Sequence, residues 1–278
     1  MQESTIPLYL RTAENHAPRL SRICGCNNFT GGCNFRCPFC HNSEILGNDA
    51  PPLYSPDDIL AFLKKRSRIL DGVCISGGEP CLQPEALEDF ILQVRSLGLH
   101  IKLDTNGSRP QVIRHLAEQG LLDYIAMDIK AGPEHYPAVC GVSPDIDSVQ
   151  ESVQWLLSGV VPFEFRTTAV KGLHTSEDFR QIGPWIAGCP DYYIQNYVPS
   201  ERVLHQTDFL IYKRRAAFFC GNYCPLYRSG LIFAESITNG STGVYPYTSI
   251  RISRLHPAVF LPAQNGENRT SRPYIFHC

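Results

Sequence analysis

Between residues 29 and 208, short apolar runs alternate with longer stretches in which apolar positions recur every three or four residues. The runs lie near 72–76, 100–104, 123–128, 162–168 and 191–197, bounded by Gly, Pro, Asn or Asp, and this pattern predicts short buried strands. The stretches near 84–97, 109–119, 146–158 and 176–186 predict helices, and a further helix is predicted to open at Ser55-Pro56-Asp57-Asp58, ahead of Ile59, Leu60, Phe62 and Leu63. Strands alternating with helices at this rhythm predict a parallel sheet joined by right-handed crossovers. A further strand just before residue 30 brings the count to six βα units.

Composition narrows the class. A chain of 278 residues, 43% hydrophobic and 19% charged, is long enough for one substantial α/β domain. A net charge of −2 predicts neither a nucleic-acid nor a membrane partner. The start, Met1-Gln2-Glu3-Ser4-Thr5, lacks a basic stretch followed by an apolar one, and no run of eighteen apolar residues occurs, so a cytoplasmic location is expected. In a reducing compartment twelve cysteines point to metal or cluster binding rather than disulfides. The expected division is an irregular flank at 1–28, a barrel at 29–208 and an atypical polar tail at 209–278.

The chemistry concentrates in Gly32-Cys33-Asn34-Phe35-Arg36-Cys37-Pro38-Phe39-Cys40-His41-Asn42. The spacing C-x3-C-x2-C offers three thiolates from one loop, so a four-iron cluster held there keeps one iron open. A structural zinc site is the rival, since Cys3His is a known zinc set and His41 follows Cys40, although adjacent residues reach one tetrahedral ion poorly. Lone cysteines such as Cys74 read as core filling. Further on, Gly72-Val73-Cys74-Ile75-Ser76-Gly77-Gly78-Glu79-Pro80 reads as a strand ending in two glycines and an acid, bare backbone that a ligand's ammonium group can approach. Lys102-Leu103-Asp104-Thr105-Asn106-Gly107 and Asp123 to Lys130 end the next two strands, placing Asp104, Asn106 and Asp128 at neighbouring strand ends, where oxygen atoms suit a hard cation or ribose hydroxyls. Lys130 and Arg166 are candidate partners for a ligand carboxylate.

These segments, with Arg166-Thr167-Thr168-Ala169-Val170 and Ile194-Gln195-Asn196-Tyr197-Val198-Pro199-Ser200, resemble the anaerobic ribonucleoside-triphosphate reductase activating proteins. Those are glycyl-radical-enzyme activases of the radical S-adenosylmethionine (AdoMet) superfamily, similar to the pyruvate formate-lyase activating enzyme. The resemblance implies a partial (β/α)6 TIM-like barrel with its reactive residues at the C-terminal strand ends. It implies one 4Fe-4S cluster on Cys33, Cys37 and Cys40, and AdoMet with its amino group near Gly77, Gly78 and Glu79 and its carboxylate near Arg166 or Lys130. It further implies an adenosine side near Phe39 and Asn196, and room for a monovalent cation near Asp104 and Asp128. Its implied partners are a glycyl radical enzyme, the large subunit of an anaerobic ribonucleotide reductase first among them, and a flavodoxin- or ferredoxin-type electron donor. An activase of the pyruvate formate-lyase type, a different radical AdoMet reaction, a non-catalytic iron–sulfur or zinc module and a damaged family relic stay open beside it. Both flanks depart from the family pattern: residues 18–29 are not apolar and carry Cys24 and Cys26, read here as accidental cysteines of an irregular segment, and the tail lacks a final acidic amphipathic helix.

Overall fold

The structure is a computed structural model in which residues 8–10, 25–47, 54–199, 203–204, 233–238 and 248–253 are described. Strand β1 (Leu8–Leu10) lies antiparallel to β2 (Gly25–Thr30) at one edge of the sheet. From β2 the chain alternates: α1 (Pro56–Arg66), β3 (Gly72–Gly77), α2 (Pro84–Ser96), β4 (His100–Thr105), α3 (Pro110–Glu118), β5 (Tyr124–Asp128), α4 (Tyr136–Cys140), α5 (Ile146–Leu157), β6 (Phe163–Ala169), α6 (Ser176–Trp185) and β7 (Asp191–Asn196). Strands β2 to β7 pair in parallel in sequence order. Two more strands, β8 (Phe233–Thr238) and β9 (Thr248–Ser253), extend the sheet antiparallel beyond β7, which leaves it open with β1 and β8 at its ends. The six parallel strands and their helices form the partial (β/α)6 barrel.

Local chemistry starts the helices where the pattern places them. Ser55 caps α1 in a reciprocal box with Asp58, Pro56 opens its first turn, and Thr175 with Asp178 does the same for α6. Helix α2 buries Leu87, Phe90, Ile91 and Val94, spaced 3, 1 and 3 residues apart along one face. The strands supply the other half of this layer. Ile101, Leu103, Ile125, Met127 and Phe165 are fully buried, and each buried side chain of this size contributes about 1.5–3 kcal/mol.

Both flanks differ from expectation. The first parallel strand begins at Gly25, inside the segment read as irregular, and Cys26 stands in register with Val73 of β3; Cys24 lies outside the described residues. Residues 209–278, read as lacking periodicity, contain β8 and β9, and β9 pairs with β7 from Asp191 to Gln195. In both cases the open edge of a neighbouring strand supplies backbone partners, and a ladder of N–H···O=C bonds needs no apolar alternation in the strand that joins it.

Candidate active site

At the C-terminal ends of the strands lies a cavity of about 230 Å³ that Cys33, Cys37 and Cys40 share with Gly77, Gly78, Asp104, Asn106, Asp128, Lys130 and Arg166. Phe39 lines it too. Residues more than 120 positions apart in the chain therefore meet where parallel barrels place their chemistry.

The cysteine loop is held by backbone bonds on both sides. Gly32 N–H donates to Ile45 O (2.8 Å), Cys33 N–H to Leu46 O (3.3 Å) and Cys40 N–H to Cys37 O (3.0 Å). The turn after β3 grips the loop from below: Gly78 N–H donates to Thr30 O (2.9 Å) and Glu79 N–H to Gly32 O (2.8 Å). Here Gly78 is obligatory, because a Cβ on it would stand 1.9 Å from Gly32 O. Its first service is thus backbone-to-backbone packing, whereas the sequence suggested an opening for a ligand. Gly77 sits at φ 124°, and its carbonyl accepts from Asn42 Nδ2 at 3.1 Å.

Glu79 is turned away from the cavity. It is buried and accepts from Thr105 Oγ1 (2.8 Å), Asn106 N–H (2.6 Å) and Cys81 N–H (3.1 Å), tying the end of β3 to the end of β4. Burial raises its pKa while these donors pull it down. The carboxylate expected beside a ligand amino group is instead occupied in joining two strand ends. Asn196, at the end of β7, likewise does not line the cavity.

Beneath the cavity the barrel interior is charged. Arg166 reaches Asp128 through Nε (3.1 Å) and Asp104 through Nη2 (3.2 Å), Lys130 pairs with Asp128 (2.8 Å), and Lys102 lies 3.2 Å from Asp104 and 3.8 Å from Glu164. Tyr124 donates to Glu164 at 3.0 Å. Burial opposes ionisation of Asp128, but Lys130 and Arg166 outweigh it and hold the carboxyl down at about 2; Asp104 is lowered in the same way by Arg166 and Lys102. The two carboxylates read as a cation site are therefore already matched by cations of the chain itself. Among the described residues no three His, Cys, Asp or Glu side chains converge tightly enough to hold a single metal ion.

The thiols fit a bound cluster in donor type and surroundings. Three cysteines share one cavity wall with Phe35, Phe39 and Leu46. Burial pushes Cys33 up to about 12 and raises Cys40 despite the opposing pull of the Lys130 ammonium, so their thiolates need a positive centre. His41, the would-be fourth zinc ligand, also lines the cavity, and its ring lies against Tyr197 with centroids 5.6 Å apart. Sequence reasoning missed Asn42, Ser76 and Thr168 in the lining, and Lys102 and Glu164 below it. The signal for the last two was present: Lys102 and Asp104 in β4, and Glu164 and Arg166 in β6, are charged at every second position of otherwise apolar strands.

Strand ends, cysteine loop and cavity together define an enzyme of the radical AdoMet class. The sequence profile of the Radical SAM superfamily matches residues 27–182, more than half of the chain, and the chain belongs to that superfamily. A protein of Methanocaldococcus jannaschii named "Putative glycyl-radical enzyme activating enzyme" is 30% identical over 182 residues, 62% of this chain and 72% of that one. The pyruvate formate-lyase-activating enzyme of Clostridium pasteurianum is 30% identical over 110 residues, and the match spans 37% of this chain and under half (44%) of that enzyme. Among solved structures, TYW1 with a lysine-pyruvate adduct bound superposes with a TM-score of 0.57 over 82% of this chain and 79% of that one, at 14% identity, which is a likeness of fold.

Proposed function

We propose that the protein is a glycyl-radical-enzyme activase: it binds one 4Fe-4S cluster through Cys33, Cys37 and Cys40, binds AdoMet at the open iron, and removes a hydrogen atom from a glycine Cα of a partner enzyme. The observation that carries this reading is the single cavity in which three thiols from one loop face the ends of β3, β4, β5 and β6. Three thiols spread along a cavity wall suit a four-iron body better than one tetrahedral ion, and three ligands leave one iron for AdoMet. When bound, the reduced cluster supplies the electron that cleaves AdoMet to methionine and a 5′-deoxyadenosyl radical.

The chain's own residues would bind and orient. Gly77 and Asn106 line the cavity, while Lys130 and Arg166 offer donors to a carboxylate. Asp104 and Asp128 keep those cations in place, so their role is to orient Lys130 and Arg166 rather than to hold an added monovalent cation. Phe39 walls the cavity, buried, its ring edge to face with that of His174 at a centroid distance of 6.0 Å. The names of the two relatives support glycyl radical enzymes as the partner class. The motif resemblance favours the large subunit of an anaerobic ribonucleotide reductase within it, with a flavodoxin- or ferredoxin-type donor as reductant.

The test is anaerobic. Reconstituted protein should carry four irons and four sulfides per chain, and changing any of the three cysteines to Ala should abolish the cluster's visible absorbance. Reduced protein mixed with AdoMet and the candidate reductase should give a glycine-centred doublet by electron paramagnetic resonance. AdoMet turnover without the doublet would favour a different radical AdoMet reaction, and zinc without sulfide would favour a structural metal module.

A further inference from the structure

The parallel pairing of β5 with β6 ends at Asp128 and Arg166, two residues short of Lys130. Past that point side chains hold the main chain. Ile129 N–H still donates to Arg166 O (2.7 Å), but Ile129 O accepts from the Thr167 hydroxyl (2.6 Å), Lys130 N–H donates to the Tyr136 hydroxyl (3.1 Å), and Lys130 O stands 2.7 Å from His174 Nε2. His174 lies in the loop after β6, is 3% exposed, and accepts at Nδ1 from Val170 N–H (3.1 Å). A ring nitrogen that accepts carries no proton, so Nε2 carries it and donates to the Lys130 carbonyl. The same ring meets Phe39 edge to face with centroids 6.0 Å apart, as Tyr136 meets Phe35 at 6.4 Å. Both anchors of the Lys130 main chain therefore also touch the cysteine loop.

We propose, on the AdoMet reading given above, that His174 is a positioning residue for AdoMet: its Nε2–H fixes the Lys130 main chain, and through it the ammonium that meets the AdoMet carboxylate, while its ring backs Phe39 in the cavity wall. A lysine on a flexible four-carbon stem is placed only when both ends are held. Asp128 holds the ammonium end at 2.8 Å, and His174 with Tyr136 holds the main-chain end. Lys130 lines the cavity, whereas His174 stands behind it, so His174 acts on a ligand through Lys130 and Phe39 and not by touch. A histidine that only fills the core would stabilise the fold and treat every ligand of the cavity alike. One that places Lys130 must matter most for the part of the ligand that Lys130 meets.

The experiment is anaerobic calorimetric titration of the reconstituted full chain with two ligands, AdoMet and decarboxylated AdoMet, which keeps the sulfonium, the amino group and the adenosine and lacks only the carboxylate. Iron and sulfide are counted in wild type, His174→Phe, His174→Gln and the control His115→Gln, on α3. His174→Phe keeps a ring against Phe39 but no donor; it should retain the wild-type iron and sulfide, bind AdoMet about threefold to tenfold more weakly, the range of one neutral hydrogen bond, and bind the decarboxylated ligand within about twofold of wild type. His174→Gln, whose amide supplies an N–H to the Lys130 carbonyl, should recover most of the preference for AdoMet, and His115→Gln should keep all of it. Equal weakening of both ligands in His174→Phe, or no weakening of either, would overturn the proposal. A second measurement decides even where that variant does not fold: nitrogen-15 NMR of the histidine-labelled wild type, assigned by the signal missing from His174→Gln, should show the Nε2–H tautomer, and an Nδ1–H or doubly protonated ring would refute the tie to Lys130. Wild type with a full cluster and no preference for AdoMet over the decarboxylated ligand would instead reject the carboxylate role of Lys130 and Arg166, and the role of His174 with it.

Discussion

The two faces of the same three strands obey different physics. On their outer faces β4, β5 and β6 carry Ile101, Leu103, Ile125, Met127, Phe163 and Phe165, all buried and apolar. On their inner faces they carry Lys102, Asp104, Asp128, Glu164 and Arg166, joined in a continuous ion network. A barrel of this kind is ordinarily filled by branched aliphatic side chains. Here the interior pays a desolvation cost for charge, and its return is a set of cations held rigidly under the cavity rather than a gain in stability. The outer face holds the fold together, and the inner face shapes the site.

The largest effect should come from breaking the inner network at its most buried member. Lys102 is 1% exposed, and Lys102→Met should cost about 3–5 kcal/mol, because Asp104 and Glu164 lose a shared cation. The double variant with Glu164→Gln should recover a substantial part in urea melts; no recovery would show that Lys102 acts through packing alone. On the outer face, Leu103→Ala should cost about 2–5 kcal/mol through cavity formation, with no change in the pH dependence of stability.

Acid should separate the faces more finely. The Asp128 carboxyl is held at about 2 by Lys130 and Arg166, below its unfolded value of 3.8. Its contribution is therefore fully present above pH of about 4 and lost as pH falls from there toward 2. A third of the side chain faces solvent, so the contribution is about 1–2 kcal/mol. Asp128→Asn should remove that part of the acid dependence, and an unchanged acid limb would reject the pairing as its origin. The smallest effect expected is at the rim, where Asn34 Nδ2 donates to Ser108 Oγ (2.9 Å) and Asn34 Oδ1 accepts from Asn106 Nδ2 (2.9 Å). Asn34→Ala should cost about 1 kcal/mol by thermal melting and leave the inner network's acid dependence as it was.

How much of this was legible follows from how local each signal is. The Ser55 cap, the helix of α2 and the order of strand and helix depend on neighbours in the chain, and they stand where the pattern placed them. The strand Gly25–Thr30 was expected from the βα rhythm, which calls for a strand ahead of the cysteine loop, and not from its own sequence, Gly-Cys-Asn-Asn-Phe-Thr, so its start at Gly25 inside the segment read as irregular is set by pairing with β3. β8 and β9 lie in the tail read as lacking periodicity, and they complete the sheet beyond β7, with β9 pairing to it.

The sequence by itself determined the chemistry available: three thiols in one loop, glycines after β3, acids and bases at strand ends, and with them membership of a superfamily. Only the tertiary structure decided what each group does there. Glu79 was legible as an acid near the site, but the Thr105 hydroxyl and the backbone N–H groups of Cys81 and Asn106 turn it into a tie between strands. The reason is general: residue type fixes what a side chain can donate, accept or ligate, whereas its partner is fixed by the packing of elements far apart in the chain, where a buried polar group takes whichever donor or acceptor the fold brings within 3 Å or so.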